Sequence, residues 1–216
     1  MYSEREDLVD IKEETELYTR FKGLLRDEKD NLSAVAEILA STPSLTSARL
    51  TKANSTDLKK RKNTILHLAV KFRRTDVIKH LCEKCKANVG YTNAAGWTPL
   101  FFACANKDLD TVRYLHEEAK ADIRQPTMNG TPLLAAADSG SEEIIKYFLD
   151  QGVDVNEADL EGTSALYVAV FKGHVGLSEK LIEAGCDLRR RGTKESTVLH
   201  ICAERGFMQI AQMLLS

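Results

Sequence analysis

Apolar and polar positions along this chain follow a long period as well as a local one. The stretch Gly96-Trp97-Thr98-Pro99-Leu100-Phe101-Phe102-Ala103 returns as Thr131-Pro132-Leu133-Leu134-Ala135-Ala136, as Ser164-Ala165-Leu166-Tyr167-Val168-Ala169 and as Thr197-Val198-Leu199-His200-Ile201-Cys202. An earlier copy is Thr64-Ile65-Leu66-His67-Leu68-Ala69. Counted from the leading Thr (Ser164 in the fourth copy), the steps are 34, 33, 33 and 33 residues. Leucine stands two places on in every copy, at Leu66, Leu100, Leu133, Leu166 and Leu199. Five places on there is a small residue, Ala69, Ala103, Ala136, Ala169 or Cys202, which lets neighbouring helices approach closely. Thr ahead of Pro suits a helix start, because the hydroxyl caps the first turn and Pro lacks only an N–H that would go unused. A second helix is predicted in each copy from Val77-Ile78 with Leu81, Val112 with Leu115, Ile144-Ile145 with Phe148-Leu149, Leu177 with Leu181-Ile182, and Ile210 with Met213-Leu214. Neither helix can bury its apolar face alone, so the copies must stack into an all-α solenoid.

Ahead of the array, Leu8, Ile11, Leu17, Tyr18, Phe21, Leu24 and Leu25 mark one face of a helix. Asp30-Asn31 offers a cap for a second helix carrying Val35, Ile38 and Leu39, stopped by Pro43. Residues 1–44 therefore predict a helical pair, either a degenerate repeat that caps the array or a separate interaction arm. Residues 45–62 are polar and end in Lys59-Lys60-Arg61-Lys62. That run suits a solvated loop, or a nuclear-import or anion-binding patch. Full repeats are expected at about 63–96, 97–129, 130–162 and 163–195, with an incomplete one at 196–216. The last stops in mid-pattern at Met213-Leu214-Leu215-Ser216, and further repeats or other domains are expected to follow it in a parent protein.

Bulk properties narrow the function classes. The formal net charge of the 216 residues is −2, which gives no general attraction to nucleic acid or membrane. No apolar run reaches the roughly 18 residues a membrane helix needs, and Met1-Tyr2-Ser3-Glu4-Arg5-Glu6-Asp7 lacks the apolar core of a secretory signal. Five scattered cysteines suit free thiols in a reducing compartment, the cytoplasm or the nucleus.

Gly152-Val153-Asp154-Val155-Asn156 and Gly185-Cys186-Asp187-Leu188 end second helices, and the tips Asn93-Ala94-Ala95-Gly96, Pro126-Thr127-Met128-Asn129 and Asp159-Leu160-Glu161-Gly162 carry turn residues. With the period, the Thr-Pro-Leu-x-x-Ala core and Gly173-His174 after a first helix, these make the chain resemble the ankyrin repeat family from about Asn63 to Ser216, some seven-tenths of its length. The resemblance implies helix-turn-helix units joined by projecting β-hairpin-like tips. Arg73 and Lys107 replace the glycine usual between the family's helices, so those pairs are expected to turn less regularly. His67 and His200 lack the preceding Pro of the family's full motif, and Phe101, Leu134 and Tyr167 replace its His.

Catalytic motifs are weak. Cys82-Glu83-Lys84-Cys85 has no second ligand pair for zinc and falls late in a helix, a poor setting for redox work. No histidine is set beside a nucleophile, and no phosphate-cradling glycine loop occurs. Neither enzyme activity nor a metal or cofactor is expected. The resemblance instead implies protein or peptide binding by the tips and first-helix ends along a concave surface. On that surface it places Lys71, Phe72, Trp97, Asn106, Met128, Asp138, Leu160, Phe171, Lys172, Arg191, Lys194 and Arg205. Phe72, Trp97, Met128, Leu160 and Phe171 are large apolar residues expected to be exposed there, with Trp97 and Phe72 the first anchors. Basic residues at both ends of the array suit an acidic peptide; nucleic acid is disfavoured by the balanced total charge. The resemblance also makes Asn156 a candidate for asparagine hydroxylation. The leading expectation is a non-catalytic interaction scaffold in the N-terminal region of a larger protein. The alternative is a regulatory domain of an enzyme or ion channel whose activity lies beyond Ser216.

Overall fold

Thr64, Thr131 and Ser164 each hold extended backbone, with ψ of 167°, 164° and 164°, and each side chain accepts from an amide of the helix it precedes. This cap starts the first helix of a repeat. A computed structural model describes residues 11–27 (11–18 as backbone), 31–41, 63–128, 130–190, 192 and 196–215. The basic loop 45–62, Asn129, Arg191 and Lys194 lie outside the described residues. The helices are α1 (Ile11–Arg26), α2 (Leu32–Ser41), α3 (Ile65–Lys71), α4 (Thr75–Glu83), α5 (Pro99–Ala105), α6 (Leu109–Arg113), α7 (Pro132–Ser139), α8 (Glu142–Asp150), α9 (Ala165–Lys172), α10 (Val175–Glu183), α11 (Val198–Arg205) and α12 (Met208–Leu215). Among the described residues there is no strand. The tips hold only isolated antiparallel bridges, Thr127 with Gly130 and Ala158 with Ser164. Asn93 and Asp159 explain why so little β-structure suffices. Each turns its side-chain oxygen onto two amides of its own tip, Ala95 and Trp97 at 2.9 and 3.0 Å, and Glu161 and Thr163 at 2.9 and 2.8 Å.

The chain forms two compact units, Met1–Pro99 and Leu100–Ser216. In the first, α1 packs on α3 and α2 on α4. Phe21, Leu25, Val35 and Leu39 are buried with Leu66, Val70, Ile78 and Leu81. Arg74 is the polar fastener. Its Nη1 donates to Leu24 O at 3.0 Å, Asp27 O at 3.1 Å and Asn31 Oδ1 at 2.9 Å. Its Nε and Nη2 form a fork on Asp76 at 3.1 and 2.7 Å. One guanidinium thus joins the α1–α2 turn to the start of α4. In the second unit the first helices α7, α9 and α11 pack in series, as do α8, α10 and α12. Ala136, Ala169 and Cys202 are buried at the close approaches.

The junction between paired helices is one fixed device. Gly140, at φ +73°, donates to Ala137 O, and Ser141 N donates to Ala136 O, at 3.1 and 3.0 Å. Gly173 and His174 repeat the pair at 2.9 and 2.9 Å. Arg73 and Lys107 correct the expectation of irregular turning. They adopt φ of 55° and 56°, and the same two bonds form, at 3.0 and 2.9 Å after Arg73 and 3.0 and 3.0 Å after Lys107. Lys86 and Lys120 hold the same region, at 52° and 59°, where later repeats have Gly152 and Gly185. A side chain there costs about 1–2 kcal/mol. All four are basic, exposed and just past a helix C-terminus, where a cation recovers about 0.3–1 kcal/mol from the helix dipole. Lys120 adds a bond from Nζ to Glu117 O at 2.6 Å. Lys120 also lies 22 residues after Thr98, against 21 for Gly152 after Thr131. The surplus residue is absorbed as a π-helical turn, Tyr114–Glu118, extending α6.

Two outcomes are expected. Lys107→Gly raises stability by about 0.5–1 kcal/mol in urea titration, because it removes more strain than dipole attraction. Its gain grows in high salt, which screens only the attraction. Arg74→Ala costs about 2 kcal/mol and accelerates amide exchange in α1 and α2. Asp76 is held below the usual carboxylate range by the Arg74 hydrogen bonds. Its contribution is present above the ordinary carboxylate pKa and is lost as pH falls through the lowered one. Acid titration of wild type therefore loosens the α1–α2 amides, and Arg74→Ala abolishes that part of the response.

Candidate partner-binding surface

In the first unit, His67 fixes the tip that carries Trp97. Thr64 N donates to His67 Nδ1 at 3.2 Å, and Thr64 Oγ1 lies 2.7 Å from the same atom. Nδ1 is therefore an acceptor, and the proton sits on Nε2. Nε2 donates to Trp97 O at 2.8 Å. The Trp97 carbonyl also accepts from Asn93 N at 2.9 Å, and Trp97 N donates to Asn93 Oδ1 at 3.0 Å. Asn93 Nδ2 donates in turn to Asn63 Oδ1 at 2.9 Å. The backbone of Trp97 is thus held on both sides. Its side chain is half-buried, not exposed as expected. Phe72 is half-buried as well, with the Arg26 guanidinium 5.7 Å from its ring centre. It is the C-cap of α3, so its ring lies at the helix end instead of projecting. Lys71 is exposed.

Among the described residues most of the exposed large apolar side chains lie in the second unit, Tyr91 at 39% being in the first. Met128 is 85% exposed, Leu160 101% and Phe171 44%. Met128 and Leu160 sit on tips, Phe171 near the end of α9. Lys172 pairs with Asp138 at 2.7 Å, joining the ends of α9 and α7. The ring of Tyr167 stacks on that of Phe171, centres 6.4 Å apart and planes 6° apart. The Arg205 guanidinium lies over the same Phe171 ring at 4.4 Å. Asn106 is half-buried at the end of α5. Tyr167 is absent from the expected surface. Its place four residues before Phe171, one helical turn, is the signal that could have found it. His174, in the following turn, donates from Nε2 to Asp138 O at 3.1 Å and packs on Gly140, where a Cβ would come within 2.7 Å of its ring. Gly140 is therefore favoured by its φ and required by that close approach.

Burial pushes all five cysteine thiols up. Burial raises the Cys82 thiol to about 11 and also raises Cys85, so both stay protonated at neutral pH. No three His, Cys, Asp or Glu residues among those described could hold a metal ion. Tyr147 donates to Glu117 Oε1 at 2.9 Å, and burial followed by that bond raises its hydroxyl to about 12. A cleft of about 420 Å³ lies over the start of α8, lined by Lys107, Gly140, Ser141, Glu142, Glu143, Lys146 and Lys180. Its Glu142 is neutralised by Lys180 at 2.5 Å. Asn156 is committed to structure: its Oδ1 accepts from Asp187 N at 2.7 Å, and its carbonyl accepts from Arg190. No described helix is long and apolar enough to cross a membrane.

Known proteins share this construction. The family profile described as Ankyrin repeats (3 copies) matches residues 28–127 and 120–192. The chain is 33% identical over 156 residues to the nuclear factor NF-kappa-B p105 subunit of chicken, covering 70% of this chain and 16% of that protein. It is 30% identical over 139 residues to the neurogenic locus notch homolog protein 1 of zebrafish, covering 64% and 6%. It is 40% identical over 63 residues to a mouse fem-1 homolog A-like protein, covering 29% and 10%. The chain thus spans less than a fifth of each of these relatives. The periodic caps, the buried leucines, the paired junction bonds and the profile match lead to one statement: the chain belongs to the ankyrin repeat family, whose repeats are protein–protein interaction modules.

Proposed function

We propose that the chain is a non-catalytic scaffold that binds a peptide or a folded domain through its tips and first-helix ends. The observation that carries this reading is the exposure of Met128, Leu160 and Phe171 in the second unit, while Leu100, Leu133 and Leu166 of the same repeats are at most 1% exposed. Large apolar side chains left in water are the usual anchors of an interface. The half-burial of Phe72 and Trp97 moves the first anchors from the first unit to the second. Lys71, Asn106, Asp138, Lys172 and Arg205 supply a polar rim, with Arg191 and Lys194 assigned to it from the sequence alone. The α1–α2 pair acts as a cap on the first full repeat, a reading supported by the Arg74 bonds to its turn. Free cysteines suit a reducing compartment, cytoplasm or nucleus.

Met128→Ser with Leu160→Ser should leave the urea midpoint within experimental error, since both side chains lie in water. It should reduce capture of specific binders from extracts of the source cell about tenfold or more. Unchanged capture of every binder would refute the surface. Asn156 is retained as a hydroxylation candidate. Treatment with an asparagine hydroxylase should add one oxygen at Asn156 by peptide mass, and an unmodified Asn156 peptide ends the assignment.

A further inference from the structure

Tyr167, Phe171 and Arg205 form a column: ring on ring at 6.4 Å and nearly parallel, then guanidinium over ring at 4.4 Å. Tyr167 is buried at its foot, Phe171 half-open in the middle and Arg205 exposed at its head. The foot is also wedged from outside. A Cβ on Gly192 would meet the Tyr167 ring at 2.6 Å, so the backbone there lies directly on the aromatic face. Arg205 ends α11, and Gly206 turns the chain away at φ +72°. The stem is thus anchored by a helix terminus and the head by an aromatic face.

The surrounding charges leave the head positive. The nearby pair Lys172–Asp138 is internally neutral at 2.7 Å. Among the described residues no carboxylate meets the Arg205 guanidinium; Glu204, its neighbour in sequence, is exposed. A guanidinium laid over a ring keeps its N–H edge for a ligand, and that edge matches the two oxygens of one carboxylate. A phosphate dianion is better served by several cations, and the described part of this site has a single uncommitted one.

The geometry points to the Tyr167–Phe171–Arg205 column as a recognition site for a partner peptide's Asp or Glu carboxylate, forked on Arg205, with an adjoining apolar side chain against the open edge of Phe171. This rests on reading the second unit's first-helix ends as a partner surface, and it names the chemistry of the partner. Stacking holds the fork in place before the ligand arrives, so less side-chain freedom is lost on binding. Arg and Lys are for this reason not interchangeable at the head.

The test uses the whole chain, labelled with ¹⁵N, and follows the Arg205 Nε–Hε signal. One probe is a blocked hexapeptide alternating glutamate and leucine; the other has glutamine for glutamate. Both are titrated at physiological salt. The glutamate peptide should shift the signal saturably at about tenfold lower concentration than the glutamine peptide. Arg205→Lys and Phe171→Leu, both followed through the backbone amide signals of α9 and α11, should each weaken binding at least about fivefold, with unchanged urea midpoints. Equal binding of the two peptides overturns carboxylate recognition, as does full activity of Arg205→Lys, which would leave only a point charge. A response that vanishes between low and physiological salt marks diffuse attraction and also overturns it. The broader surface reading fails separately, by unchanged capture with the Met128/Leu160 variant.

Discussion

A helix of seven or eight residues buries an apolar face only when other helices supply the covering. That constraint governs this molecule. Leu166 on α9 has first helices on both sides and is 1% exposed; Leu199, at the same place on α11, has one first helix beside it, α9, with α12 as its pair, and is 40% exposed. Everything else follows from keeping the short helices in a spacing that makes the covering mutual. Small residues at Ala136 and Ala169 set the distance, hydroxyl caps set the start of the first helices α7 and α9, and the paired junction bonds set the reversal.

Polar groups add a second, directional layer. His67 accepts a backbone N–H at one ring nitrogen and reaches the Trp97 carbonyl with the other, so a buried imidazole links a helix start to a tip 30 residues away. Asn93 and Asp159 close their tips from within. Met128 and Leu160 take no part in these bonds and stand in water beside them.

The repeat was legible because its signals are local and recur: a leucine two places after each cap, a small residue three places further. What stayed hidden depends on conformations that no local residue announces. Arg73 and Lys107 do not favour a left-handed backbone by themselves; the two bonds at the helix junction accompany it, against intrinsic preference. The half-burial of Phe72 and Trp97 depends on where the helix end and tip place their rings, which a count of positions along the repeat does not give. The aromatic column was half legible. Tyr167 and Phe171 are one turn apart, and Arg205 follows Phe171 by 34 residues, about one repeat, but stacking is a matter of angle, and angle is not written in spacing.

The four left-handed basic residues carry one more implication. Arg73, Lys86, Lys107 and Lys120 occupy the two earliest full repeats, and the later junctions use glycine. An ionic medium therefore acts unevenly along the chain. Raising salt removes the compensation at the early joints and leaves the glycine joints as they were. Salt should therefore favour local opening first in the two earliest full repeats, whose joints carry left-handed side chains.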